Sequence, residues 1–226
     1  MTMVQILNKE QFNKVLSANT YLYEANKRKK QRVEALTKLL IFRLIVCCGL
    51  RPQEARKLVV SDLVVEGDRP HVQVRKEIAK GNKARRVPLW WDEGTLHDIA
   101  RLKAHRVEHH GLKDDSLVLT GARGKTRQGL STEDLWVRWG TLMKRGCGCP
   151  VDNYYKHKPW CTYALRPYDG RHTFASMSLH GGRSLVEVRD AMGHASIATT
   201  NIYLHIPFEN KAPAVGNLFD YSEDED

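Results

Sequence analysis

Between Ala35 and Leu50 almost every position is apolar, and charge breaks in only at Lys38 and Arg43. A helix that is apolar on all sides is buried centrally instead of lying on a surface, so this segment is expected at the middle of the core. Cys47 and Cys48 fall inside it and read as small core residues. Gly49 is placed to stop it. Upstream, Asn8 with Gln11 three residues later is close to a capping box and predicts a short helix over Asn8 to Ser17.

The period then changes to two. Val72, Val74 and Ile78 alternate with polar residues, as do Val87 and Leu89, predicting strands over His71 to Ala79 and Ala84 to Leu89. Lys80-Gly81-Asn82-Lys83 lies between them, and Gly-Asn is a hairpin turn signal. The remainder reads as helix: Glu93 to His110, Thr132 to Lys144 opening on Glu133-Asp134, then Tyr168 to His180, Leu185 to Met192 and Ala195 to Leu204 broken by glycines. The tail after Pro207 reads as loosely structured until Leu218-Phe219. No internal repeat or Gly/Ser/Pro linker divides the chain. The fold class expected is α+β, mainly helical, with one small basic β-hairpin.

Length and charge narrow the class. At 226 residues the chain has room for one large domain or two small ones. Its longest apolar run, Leu44 to Leu50, is far short of the ~20 residues a bilayer crossing needs, and Met1-Thr2-Met3-Val4 lacks the pattern of a secretion signal. The formal net charge is +10, but five acidic residues (Asp220, Glu223, Asp224, Glu225 and Asp226) follow the last lysine, Lys211. Without them 21 acidic residues face 36 basic ones, an excess of 15. A body that basic is usually built to meet a polyanion, most often nucleic acid. The polar positions of the hairpin are themselves largely basic, at Arg75, Lys76, Lys80, Lys83, Arg85 and Arg86. The run Lys27 to Arg32 suits a solvated helix start as well as a phosphate contact.

Two tempting motifs fail. His105, Glu108 and His109 match an H-x-x-E-H zinc-protease pattern, but the helix there reads as polar all round and no further acidic ligand is indicated. Gly121-Ala122-Arg123-Gly124-Lys125-Thr126 ends like a phosphate-binding loop, yet has two residues between its glycines where four are needed.

A third set is more coherent. Arg51 follows the buried helix in Gly49-Leu50-Arg51-Pro52-Gln53-Glu54; Lys80 sits at the hairpin tip; Asp169-Gly170-Arg171-His172-Thr173-Phe174 opens a helix; Gly193-His194 ends the next; and Tyr203 lies nine residues on. Taken singly, each has a plain structural explanation, as a helix cap, a turn, a helix end or a core aromatic.

Together and in this order they resemble the tyrosine recombinase (phage integrase) family, over roughly Leu7 to Ile206. The matching text is GLRPQEARKL, KGNKARRVPL, YDGRHTFAS and MGHASIATTNIYLHI. The resemblance implies a DNA-breaking and rejoining enzyme in which Tyr203 is the nucleophile, forming a 3′-phosphotyrosyl link. Arg51 and Arg171 would clamp the non-bridging oxygens, a task suited to the planar, permanently charged guanidinium fork. His194 would add a donor, and Lys80 would protonate the leaving 5′-oxygen. Lys83, Arg85 and Arg86 would contact DNA. Catalysis would require no cofactor, and the partners implied are double-stranded DNA and further copies of the chain, as a tetramer on DNA, in the cytoplasm at the nucleoid. The same Tyr203 chemistry also fits a type IB topoisomerase-like relaxing activity, and a non-catalytic DNA-binding regulator is the third reading.

One position departs from the family. Tyr168 stands three before Arg171, where histidine is usual; a phenol with a pKa of about 10 is a poor proton shuttle at neutral pH. Tyr168 is therefore expected to be structural, with proton transfer resting on groups such as His172 or Lys80, and Asp169 is expected to orient a basic side chain. Cys147, Cys149, His157 and Cys161 form a cluster outside the family pattern, for which structural zinc and unligated thiols are the two readings. Residues 1–209 are expected to form the catalytic domain without a separate N-terminal core-binding domain. Residues 210–226 are expected to form an acidic tail that docks on a neighbouring copy through Leu218, Phe219 and Tyr221 or folds back over the DNA face.

Overall fold

Asn8 caps the first helix as its spacing predicts: its side chain accepts from the Gln11 amide at 2.8 Å, and the Gln11 side chain accepts from the Asn8 amide at 3.1 Å. The helix, α1 (Lys9–Ala25), runs past Ser17 because Phe12, Val15, Asn19 and Tyr23 keep one face buried along its whole length. The computed structural model describes residues 5–120, 129–147 and 161–205. The Gly121 to Thr126 stretch, Cys149, His157 and the tail over 210–226 lie outside the described residues.

The apolar segment is central, with every residue from Ala35 to Leu50 buried. It is two elements rather than one helix: α2 (Lys29–Phe42) starts early, on the exposed basic run, and passes into a π-turn over Arg43–Cys47. The charges inside it are paired. Lys38 lies 3.3 Å from Glu34, and Arg43 donates from Nε to Asp98 at 2.8 Å and from Nη1 to Thr95 at 3.2 Å. The wider π-turn, with the Cys48 amide on the Arg43 carbonyl at 2.9 Å, brings the chain to Gly49 at φ +61. A Cβ at Gly49 would run into the Phe174 ring, so the residue must be glycine for both reasons.

The sheet has three antiparallel strands in sequence order, β1 (Leu63–Val64), β2 (His71–Val74) and β3 (Arg85–Pro88), with Leu63 opposite Val72 and Val72 opposite Val87. β1 is too short for periodicity to reveal. β2 stops at Val74 instead of Ala79 because the Ile78 and Ala79 amides turn back onto the Arg75 carbonyl, at 3.2 and 3.1 Å. The tight hairpin expected is thus a wide loop over residues 75–84. Gly81-Asn82 does form its turn, both residues having positive φ.

The other helices are α3 (Pro52–Arg56), α4 (Glu93–His110), α5 (Thr132–Gly146), α6 (Pro167–His180), α7 (Leu185–Met192) and α8 (Ala198–Asn201). The single helix expected over Ala195 to Leu204 is the short α8 followed by a 3-10 turn, Ile202–His205. At Gly170, α6 crosses the core so closely that a Cβ would lie 2.5 Å from Trp139. The end of α4 is less polar than expected: Arg106 is only 3% exposed and donates to the Val118 carbonyl at 3.0 Å, while His105 meets Tyr23 edge-on at 5.7 Å. Among the described residues no helix is long and apolar enough to cross a membrane.

Candidate active site

Three arginines converge on the C-terminal end of α7, where the last carbonyls of a helix carry partial negative charge. Arg51, the residue before α3, donates to the carbonyls of Met192 at 3.4 Å and Gly193 at 3.3 Å. Arg171, on α6, donates to the same Met192 carbonyl at 2.5 Å and to the Gly49 carbonyl. Arg85, on β3, donates from Nε to the Ala191 carbonyl at 2.8 Å. Arg51 and Arg171, 120 residues apart in the chain, are therefore held side by side by the turn at Gly49 and the end of α7.

Glu54 is the counterweight and was not singled out from the sequence. Its buried carboxylate accepts from Arg85 at 2.9 and 2.7 Å, from Arg51 Nη1 at 3.0 Å and from the Arg51 amide at 2.9 Å. Burial opposes its charge, but the hydrogen bonds and charge of Arg85, with those of Arg51, hold its pKa down at about 2. Its i, i+3 spacing from Arg51 in Arg-Pro-Gln-Glu was the available signal. Arg85, expected to contact DNA, is placed inward: its side chain is 8% exposed and it donates to Glu54 and the Ala191 carbonyl. Arg86 and Lys83 are exposed, as a surface contact requires.

Tyr203 sits in the 3-10 turn after α8, 2% exposed, with its hydroxyl 2.6 Å from His172 Nδ1. The His194 ring stacks near it at 6.5 Å between centroids. His194 Nδ1 lies 2.8 Å from the hydroxyl of buried Thr200, a partner that sequence reasoning missed. Burial pushes the Tyr203 pKa up, against the pull of Arg171 and Arg51. Burial and then Arg171, Arg51, Arg85 and His172 push His194 down to about 4, so it is neutral at pH 7. Burial, with Arg51 and Arg85 nearby, lowers Arg171 to about 9, which leaves it charged there.

The remaining expected residues are placed differently. Asp169 accepts from the Arg166 amide at 2.6 Å and so caps α6, with the exposed Arg166 guanidinium 3.6 Å away. Tyr168 is 46% exposed. Lys80 is exposed on the 75–84 loop. Of the four candidate zinc ligands only Cys147 and Cys161 are described, and no group of three metal-ligating side chains occurs among the described residues.

The model of the phage integrase family matches residues 6–210, and the chain belongs to that family. Among its relatives, tyrosine recombinase XerC of Shewanella amazonensis is 28% identical over 178 residues, covering 79% of this chain and 52% of the relative. Tyrosine recombinase XerD of Listeria innocua is 27% identical over 209 residues, 89% of this chain and 58% of the relative. The chain thus spans about half the length of the curated relatives it matches. In fold it is similar to the XerH site-specific recombinase bound to palindromic difH substrate in a post-cleavage complex (TM-score 0.64, 22% identity, 90% of this chain and 50% of that one). XerA recombinase is similar to the same degree (TM-score 0.64, 20% identity, 92% and 62%). The expected mainly helical fold with a small basic sheet is the fold found.

Proposed function

We propose that residues 1–209 are the catalytic domain of a site-specific DNA recombinase that breaks and rejoins double-stranded DNA through a 3′-phosphotyrosyl link on Tyr203. The observation that carries this reading is one constellation: a buried phenol hydrogen-bonded to His172, beside His194, with Arg51 and Arg171 held together at the end of α7. In the reaction the Tyr203 oxygen forms a bond to phosphorus, and the bond to the 5′-oxygen breaks. Arg51 and Arg171 turn donors from the Met192 and Gly193 carbonyls to the non-bridging oxygens, whose charge grows in the transition state. Thr200 donates to Nδ1 of neutral His194, leaving Nε2–H as a further donor to the phosphate.

Lys80 supplies the proton to the 5′-oxygen. It is five residues from Arg85, a tether of at most about 17 Å, so a loop rooted at the site can bring it in over bound DNA. The short turn carrying Tyr203 must yield for the phosphate to reach its oxygen. The guanidinium pair supplies the charge that a metal would otherwise bring, so the reaction as proposed uses no cofactor. Zinc on Cys147, Cys149, His157 and Cys161 would be a clip ahead of α6 and outside the reaction. Assembly as a tetramer on DNA, in the cytoplasm at the nucleoid, belongs to the same proposal.

A nicked duplex that loses its short 5′-hydroxyl strand on cleavage is the test. The wild-type chain should accumulate a covalent protein–DNA complex, and Tyr203→Phe should form none; no complex with the wild type, or an undiminished one with Tyr203→Phe, overturns the reading. Joining of the trapped strand to a foreign 5′-hydroxyl end separates exchange from mere relaxation.

A further inference from the structure

We propose that His172, through Nδ1, takes the phenol proton as Tyr203 attacks phosphorus and returns it when the link is resolved. The inference rests on Tyr203 being the nucleophile, and assigns the proton acceptor that this chain uses where the family's usual histidine is replaced by Tyr168.

Geometry singles out His172. Its Nδ1 lies 2.6 Å from the phenol oxygen, and among the described residues no other group is within hydrogen-bond distance of that oxygen. His172 follows Arg171 on α6, so the two side chains leave the helix about 100° apart. Arg171, pinned to Gly49 and Met192, fixes the helical turn from which His172 reaches the nucleophile. One turn of helix thus presents one group to the phosphate and the other to the phenol. The alternatives fall away on their surroundings. His194 Nδ1 is engaged by Thr200, with its ring 6.5 Å from that of Tyr203. Tyr168 is 46% exposed and is not among the groups hydrogen-bonded to the phenol. Arg51 and Arg171 are donors without an acceptor.

The charges around the pair suit a proton that moves out and back. Burial pushes Tyr203 up, so its proton must be taken, and burial also pushes His172 down, leaving its ring neutral and able to accept. Asp169 favours the imidazolium once formed, whereas Arg171 and Arg166 oppose it. Arg171 and Arg51 favour the phenolate. In cleavage the phenol O–H bond breaks, its proton passes to His172 Nδ1, the oxygen–phosphorus bond forms, and the departing 5′-oxygen takes its own proton from Lys80. In joining, the incoming 5′-hydroxyl gives its proton to Lys80, and the imidazolium reprotonates the tyrosine as the link breaks.

The experiment follows cleavage of the nicked duplex against pH, with a normal substrate and one carrying sulfur at the bridging 5′ position. The sulfur leaves without needing a proton. Wild-type cleavage should be level near neutral pH and fall on the acid side, below 6.5, as His172 protonates. His172→Asn, which keeps a polar atom at the δ position, should be slower on the order of 100-fold or more. Its rate should climb about tenfold per pH unit, because hydroxide must now remove the proton, and the sulfur substrate should not restore it. By contrast, Lys80→Ala should be restored by sulfur. Nitrogen NMR of the wild-type ring keeps the test independent of any variant: at pH 7 the proton should sit on Nε2, with Nδ1 bare. Wild-type rates and pH profile in His172→Asn, restoration by sulfur, or a proton on Nδ1 would each overturn the inference while wild-type covalent trapping still stands. Absence of that trapping overturns the nucleophile reading itself, and the inference with it.

Discussion

Glu54 holds Arg85 through both carboxylate oxygens, at 2.9 and 2.7 Å, with the carboxylate buried. The pair ties the sheet to α3, and through Arg51 to the arginine cluster at the end of α7.

Removing one member of a buried pair leaves the other charge uncompensated and costs about 3–5 kcal/mol. Glu54→Gln should therefore lower unfolding stability by roughly 3 kcal/mol and weaken cleavage, since Arg51 loses its anchor. Arg85→Ala should lose stability without DNA present, which a mere DNA contact would not. The pH dependence follows from the folded pKa of about 2, below the ordinary 4.5. The stabilisation is fully present above pH 4.5 and is lost as pH falls through 4.5 toward 2, a change of about 3 kcal/mol. Urea unfolding across that window should show the slope in the wild type and its absence in Glu54→Gln; parallel curves would refute the role.

Tyr168 occupies the position where a proton-shuttling histidine is usual, yet it is 46% exposed and its side chain makes no hydrogen bond among the described residues. Tyr168→Phe should keep covalent cleavage within about threefold of wild type, since loss of an exposed hydroxyl is typically near-neutral. A defect as complete as that of Tyr203→Phe would show the phenol acting on the DNA itself.

Local patterns were legible in the sequence; relations between distant charges were not. The Asn8–Gln11 box, the buried run from Ala35 and the stop at Gly49 each depend on neighbours within one or two turns, and each is found. The helix Leu185–Met192 matches its expected limits because its Ser184 cap and its Gly193 end at φ +65 are both local. The π-turn at Arg43–Cys47 leaves no trace in hydrophobic periodicity, since the segment is apolar on every face. Arg85 looked like one more cation on a basic hairpin, and only a carboxylate 31 residues upstream makes it an interior residue. His172 and Tyr203, likewise 31 apart, were legible as chemistry but not as a pair. Motif text located the cluster, whereas its hydrogen bonds come from how α6, α7 and the turn at Gly49 meet.

His194 offers a readout of phosphate arriving at that cluster. Its pKa of about 4 is set by burial and then by Arg171, Arg51 and Arg85, with His172 adding to them. A phosphodiester held by Arg51 and Arg171 offsets their positive charge, so the bound-state pKa should rise toward the ordinary 6.5. The sign follows from linkage: between pH 4 and 6.5 bound His194 holds more proton than unbound His194, so binding takes up protons and affinity increases as pH falls. Binding of Tyr203→Phe, which lacks the proposed nucleophile, should therefore tighten from pH 7 to pH 5, a range that stays clear of the Glu54 transition. His194→Gln in the same background should flatten the dependence, with His172 contributing whatever slope is left. Fluorescence anisotropy at constant ionic strength measures both, salt being fixed because phosphate contacts are salt-dependent in their own right. An equal slope with and without His194 would mean that phosphate does not settle beside it, and would move the DNA away from the end of α7.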